Sequence, residues 1–153
     1  MKILIVYYSR TDVTKGIANK IQSILNCDIE EITDDGKYDG KLGFLKGGMN
    51  ATMGRASDIN PISKDPADYD LVIVGTPVWS SNMATPIFTY LIQNKDKINK
   101  MASFCTCMGG GYDKALEKMA EVSGKQQIST MFLTSKDIDN PSEKIDTFIN
   151  EIK

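Results

Sequence analysis

The chain has 153 residues, with 18 Lys and Arg against 20 Asp and Glu, and its net charge of −2 leaves no basic field to hold nucleic acid or an anionic membrane. Hydrophobic residues make up 41% and charged residues 25%, ordinary for a globular protein, and a chain of this length buries roughly 70% of its unfolded surface, enough for one core spanning residues 1–153. Histidine is absent and three cysteines are too few for a disulfide framework, so a soluble, cytoplasmic protein is expected in which any redox chemistry is carried by a bound cofactor.

In chain order, Ile3–Tyr8 is almost continuously apolar, the pattern of a strand covered on both faces. The segment Ser9-Arg10-Thr11-Asp12-Val13-Thr14 follows, and then Ile17, Ile21, Ile24 and Leu25 recur at helical spacing. Cys27–Thr33 is half polar and predicts an edge strand. From Asp34 to Tyr69 no strand pattern is present; Leu42, Leu45, Met49 and Met53 hint at a loose helix among glycines. Leu71–Gly75 predicts a third strand, and Ile87, Tyr90 and Leu91 a helix opened by Pro86. Ala102–Cys107 and Thr130–Leu133 complete the apolar runs, with Ala115, Leu116, Met119 and Ala120 on one helical face between them. Asn140-Pro141-Ser142-Glu143 holds N-cap candidates and an N1 proline for a last helix bearing Ile145, Phe148, Ile149 and Ile152. Alternating strands and helices predict a three-layer α/β/α sandwich around a parallel sheet. The long link before Leu71 suits a five-stranded order of 2-1-3-4-5, in which the second connection must cross the first strand.

Three loops at strand ends carry the chemistry. Ser9, Thr11 and Thr14 place hydroxyls at a helix N-terminus, where exposed N–H groups and the helix dipole favour a phosphate. The plainer alternative makes Thr14 an N-cap and Ser9 and Thr11 turn residues. The loop lacks the Lys of a Walker loop and the glycines of a dinucleotide fingerprint. After the third strand, the single Trp79 stands in Gly75-Thr76-Pro77-Val78-Trp79, either as core or as a π face for a planar ligand. After the fourth, Gly109, Gly110 and Gly111 let backbone approach a ligand closely, or form a plain turn. Cys105 and Cys107 are spaced as Cys-x-Cys, not Cys-x-x-Cys, and read as buried small hydrophobes.

Ser9-x-Thr11-x-x-Thr14 after an apolar strand resembles the FMN-phosphate loop of the flavodoxin family, usually Ser/Thr-x-Thr-Gly-x-Thr, with Asp12 in the glycine position. Asp enters the left-handed region better than most residues, so the turn can survive, while its carboxylate repels a phosphate unless it points outward or pairs with Arg10 or Lys15. Gly75-Thr76-Pro77-Val78-Trp79 resembles the isoalloxazine-binding loop of flavodoxins and related quinone reductases. The resemblance implies an FMN-binding, flavodoxin-like protein. Ser9, Arg10, Thr11, Asp12, Val13 and Thr14 would take the phosphate. Pro77, Val78, Trp79, Ser80, Ser81 and Asn82 would flank the ring on one side, and Cys107, Met108, Gly109, Gly110, Gly111 and Tyr112 on the other, Tyr112 as the local aromatic. It further implies that a peptide after Trp79 turns toward the reduced flavin, a turn that glycine makes most easily, whereas this chain has Ser80 and Ser81. The expected function is that of an electron carrier between transient redox partner proteins, monomeric or weakly dimeric, with no catalytic or metal-ligating residue of its own. The alternative is an NAD(P)H:quinone oxidoreductase, since Asn82-Met83 resembles the quinone reductases and Gly36–Asn60 could shape a substrate pocket.

Overall fold

The computed structural model describes residues 1–34 and 59–153; the helix expected on Leu42, Leu45, Met49 and Met53, and most of the Gly36–Asn60 segment, lie outside the described residues. The elements run β1 (Ile3–Tyr7), α1 (Val13–Leu25), β2 (Asp28–Glu31), β3 (Leu71–Trp79), β4 (Asn82–Met83), α2 (Thr85–Asn94), β5 (Lys100–Thr106), α3 (Tyr112–Ser123), β6 (Gln127–Leu133) and α4 (Ser142–Ile152). The parallel strands are ordered β2-β1-β3-β5-β6, and β4 pairs antiparallel with the end of β3. Apart from that short ribbon, this is the 2-1-3-4-5 sheet expected.

Alternation along the central strands builds both layers. Leu4, Val6, Val72, Val74 and Met101 face one way and bury Ile87, Tyr90 and Leu91 of α2 and Met119 of α3. Ile3, Ile5, Leu71, Ile73 and Phe104 face the other, against Ile17 and Ile21 of α1 and Ile145, Phe148, Ile149 and Ile152 of α4. Every residue of β1 is therefore buried, which is why its sequence is continuously apolar.

The strands β1, β2 and β5 differ from their expected runs by one or two residues at their ends, and three further boundaries differ for identifiable reasons. β3 continues to Trp79, because its ladder with β1 has already ended at Gly75, so the missing N–H of Pro77 costs nothing there, and Pro77 still pairs with Thr106 on the β5 side. β6 begins at Gln127, and its first half alternates between exposed and buried because it is an edge strand, so no continuous apolar run marks it. The last helix starts at Ser142, which puts Pro141 at the cap position with φ −85° and not at N1. Among the described residues, no helix is long and apolar enough to cross a membrane.

Gly75 sits in the middle of the sheet, between Tyr7 of β1 and Phe104 of β5. A Cβ there would lie 2.2 Å from Cζ of the fully buried Phe104 ring, which packs edge-on against Phe148 at 6.5 Å. Gly75→Ala is expected to destabilise the protein by about 1–3 kcal/mol through overpacking. Urea denaturation measures this, and Phe104→Leu in the Gly75→Ala background should recover part of the loss.

Candidate functional site

Four loops leave the carboxyl ends of β1, β3, β5 and β6 and meet at one edge of the sheet, where open α/β folds place their ligands. Between them lies a cavity of about 350 Å³. It is lined by Arg10, Thr11 and Val13 from the first loop, Pro77, Val78 and Trp79 from the second, Thr106, Cys107 and Met108 from the third, and Ser135, Ile138 and Asp139 from the fourth.

In the first loop Asp12 caps α1 with φ 66°, so an aspartate does adopt the left-handed turn that a glycine would make. Its carboxylate is exposed and makes no cap hydrogen bond. The Lys15 N–H donates to Ser9 Oγ at 3.1 Å, which gives Ser9 the capping role instead. Thr14 is buried, and its hydroxyl shares a 2.9 Å hydrogen bond with Thr106 that ties α1 to the end of β5. Thr11 and Arg10 are thus the side chains of this loop that face the cavity together with Val13. The Lys15 ammonium lies 3.7 Å from Glu31, which also accepts a 3.1 Å hydrogen bond from the Tyr7 hydroxyl. Burial, then the Glu31 charge, drive the Tyr7 phenol far above its ordinary range, so it remains a donor.

The second loop is a two-residue hairpin. Trp79 pairs with Asn82, and Ser80 and Ser81 both take positive φ, 51° and 59°. That is the geometry of a type I′ turn, normally supplied by Asn-Gly or Gly-Gly. Two serines hold it at a cost of ~1 kcal/mol or more each. The Asn82 carboxamide accepts from the Met83 N–H at 2.8 Å, and Thr76 Oγ1 accepts from the Ala84 N–H at 2.9 Å, so both ends of the ribbon are fastened. Trp79 lines the cavity but is only 3% exposed and meets Tyr8 edge-on at 5.5 Å. It is core and cavity wall at once.

The third loop follows Cys105 and leads through Cys107 to Tyr112. Burial pushes the Cys105 thiol up to about 12 and raises that of Cys107, so neither is a thiolate at neutral pH and a thiol-based reaction is disfavoured. Tyr112, expected beside the ring, is instead stacked on Phe132 at 3.8 Å and 7°. The Lys144 ammonium lies 3.7 Å over the same Phe132 ring, a cation–π contact that holds the pair in place. Gly111, at φ 83°, packs against the hairpin: a Cβ there would lie 3.0 Å from both Cα and Oγ of Ser81.

Thr106 and the fourth loop escaped the sequence reading. Asp137 organises that loop, its carboxylate accepting from the Thr134 N–H at 2.9 Å, the Thr134 hydroxyl at 3.0 Å and the Lys144 ammonium at 3.0 Å. The first of these bonds, then the one from Lys144, lower the Asp137 carboxyl below its ordinary value. The Ser135 hydroxyl donates to the Met108 carbonyl at 3.2 Å and joins the third and fourth loops. The available signal was positional: the segment after Leu133 leaves the same strand edge as the other three. Of the residues expected at a ligand, Ser9, Asp12, Thr14, Ser80, Ser81, Asn82, Gly109, Gly110, Gly111 and Tyr112 are not among the described residues lining the cavity.

A family model described as flavodoxin matches residues 2–144. A flavoprotein from Lactobacillus acidophilus NCFM, solved in complex with FMN, is 28% identical with a TM-score of 0.76, covering 92% of this chain and 98% of that one. The NMR structure of the apo-form of the flavoprotein from the same organism is 30% identical with a TM-score of 0.67, covering 91% and 95%. Oxidised flavodoxin 1 from Bacillus cereus, 16% identical with a TM-score of 0.57 over 99% and 97% of the two chains, shares the fold. No curated protein matches the chain.

Two outcomes are expected from this geometry. Ser80→Gly should stabilise the protein by about 0.5–1 kcal/mol, the relief of left-handed strain less the entropy glycine adds to the unfolded chain. The shift of the urea midpoint measures it. Because the Asp137 carboxyl is lowered in the folded protein, its stabilisation is complete above about pH 4 and is lost as the pH falls through the lowered value. Asp137→Asn should therefore lower the thermal midpoint at neutral pH, and the gap to the parent protein should close in acid.

Proposed function

The chain belongs to the flavodoxin family, and on that premise we propose that it binds FMN and carries electrons between transient protein partners in the cytoplasm. The observation that carries this reading is the composition of the cavity lined by all four loops. Pro77, Val78, Trp79, Met108 and Ile138 offer apolar walls suited to a flat ring system, while Arg10, Thr11 and the N-terminus of α1 offer donors and positive potential for a phosphate.

When bound, FMN supplies electron transfer in single steps or in pairs. The chain's own groups bind and orient it. Arg10 and the Thr11 hydroxyl, with the first N–H groups of α1, would hold the phosphate, and the Asp12 carboxylate beside them is exposed to water. Trp79, packed edge-on against Tyr8, would give the ring an apolar wall, and the Ser80–Ser81 hairpin continues from it. Burial raises the Cys105 and Cys107 thiols above their ordinary value, which favours their protonated forms beside the cavity. A cavity of about 350 Å³ among the described residues is of a size to take a flavin ring. The NAD(P)H:quinone oxidoreductase remains the alternative on the resemblance of Asn82-Met83.

Calorimetric titration of the FMN-free protein tests the reading. FMN should bind, and Thr11→Ala should weaken it by about 1 kcal/mol or more, the scale of a hydrogen bond to a charged group, while riboflavin binding stays unchanged. Equal FMN affinities for the parent, Thr11→Ala and Arg10→Ala would remove the phosphate from this loop. The holoprotein alone should not oxidise NAD(P)H in steady state; turnover with a quinone would make it the enzyme.

A further inference from the structure

The two edges of the sheet are guarded by different means. β2 carries its own charges, Asp28, Glu30 and Glu31. Glu30 also accepts from the N–H groups of Ser63 and Lys64, both at 2.8 Å, which fastens that segment to the strand. β6 is the last strand at the other edge. Residues 127–134 read Gln-Ile-Ser-Thr-Met-Phe-Leu-Thr, with no charge, proline or glycine among them. An uncharged, strand-prone window of this kind on an edge is a template for another strand. Whatever guards it must come from outside the strand.

The ladder shows which backbone groups are open. In a parallel pair, alternate residues turn both their N–H and their C=O to the same neighbour. The Cys107 N–H donates to the Leu133 carbonyl at 3.0 Å, so Leu133 faces β5, and Thr130, Phe132 and Thr134 face outward. One ion pair occupies the last two of these. The Lys144 ammonium donates to the Phe132 carbonyl at 3.0 Å and lies 3.7 Å over the Phe132 ring. The Asp137 carboxylate accepts the Thr134 N–H at 2.9 Å, and the same carboxylate oxygen accepts from Lys144 at 3.0 Å. A donor and an acceptor thus stand where the N–H and C=O of an added strand would lie. Upstream, β6 slips register against β5 between Met101 and Ser103, so the regular edge begins only at Thr130. Among the described residues that leaves Thr130, exposed and beside a cavity of about 420 Å³ that Asp137 and Lys144 also line.

We propose that the Asp137–Lys144 ion pair closes the free edge of the sheet, and that without it β6 pairs antiparallel with β6 of a second copy of this chain. The strand is self-complementary. A two-fold axis at Thr130 sets the two Thr130 residues opposite each other and Ile128 of each copy opposite Phe132 of the other, an aliphatic–aromatic cross-strand pair. Ile128 is already 38% exposed, and no charge on either strand opposes the approach. The pairing needs the Phe132 carbonyl, and that is the group Lys144 holds.

Sedimentation velocity of the full-length protein over a wide range of concentration is the test. Lys144→Met keeps the apolar stem over Phe132 and removes the donor, and it should shift from one chain to two as the concentration rises. The parent should not shift, nor should Lys118→Met, which removes a lysine from the exposed Lys118–Glu121 pair on α3. Adding Thr130→Pro removes an N–H that faces no strand of the native sheet, so the fold is kept. It should return Lys144→Met to one chain. Should circular dichroism show Lys144→Met unfolded, Lys144→Gln takes its place with the same expectations. A folded Lys144 variant that stays a single chain overturns the proposal, as does association that Thr130→Pro leaves intact. Association of the parent that Thr130→Pro abolishes also overturns it, because the edge is then open with the pair in place. Binding of an unrelated extended peptide by the Lys144 variant, with no association of the variant itself, overturns the choice of a second copy as the occupant.

Discussion

Parallel pairing of β1, β3 and β5 is the constraint from which the rest of the molecule follows. A parallel strand needs a crossover to return, so helices must lie on both faces and the central strands are buried on both sides. Leu4 and Val6 point to one helix layer, Ile3 and Ile5 to the other, and the burial of β1 from end to end is the outcome. The same pairing brings the carboxyl ends of the strands to one edge. The loops converge there because of the topology, before any of their side chains matters.

What those loops then share is backbone conformation as much as side-chain chemistry. Asp12, Ser80, Ser81 and Gly111 all have positive φ, and all lie in the turns at this edge. Such conformations persist only where surrounding structure holds them. Here the holding groups are identifiable: Ser9 on the first turn of α1, the Trp79–Asn82 pair closing the hairpin, and the contact of Gly111 with Ser81. The fourth loop is held differently, by the Asp137 carboxylate and the Lys144 ammonium.

The central architecture was legible because its signal is coarse. A continuous apolar run such as Ile3–Tyr8 and a helical stripe such as Ile145, Phe148, Ile149 and Ile152 survive any detail of packing. The edges were harder. Gln127-Ile128-Ser129 belongs to β6, but an edge strand spends half its residues on water and loses the run that would reveal it. Asn82–Met83 is too short to show a period at all. In the site, the first three loops were found because their residue types are suggestive in themselves. Thr106 and the Ser135–Asp139 segment are not; only the register of β5 beside β6 puts them on the cavity. Tyr112 is a different case: its type and position both suit a ring, while nothing in the sequence reveals that it stacks on Phe132 with Lys144 over the same ring.

The contact between Gly111 and Ser81 also bears on how this chain tolerates change. The third loop lies so near the hairpin that a side chain at one position must be answered by a rearrangement at the other. Positions 81 and 111, thirty residues apart in the chain, therefore behave as one locus: a substitution at either is conditional on the other. Loops transplanted here from a related protein would have to come as a matched set, because a hairpin from one source and a glycine-rich turn from another would collide along their shared backbone.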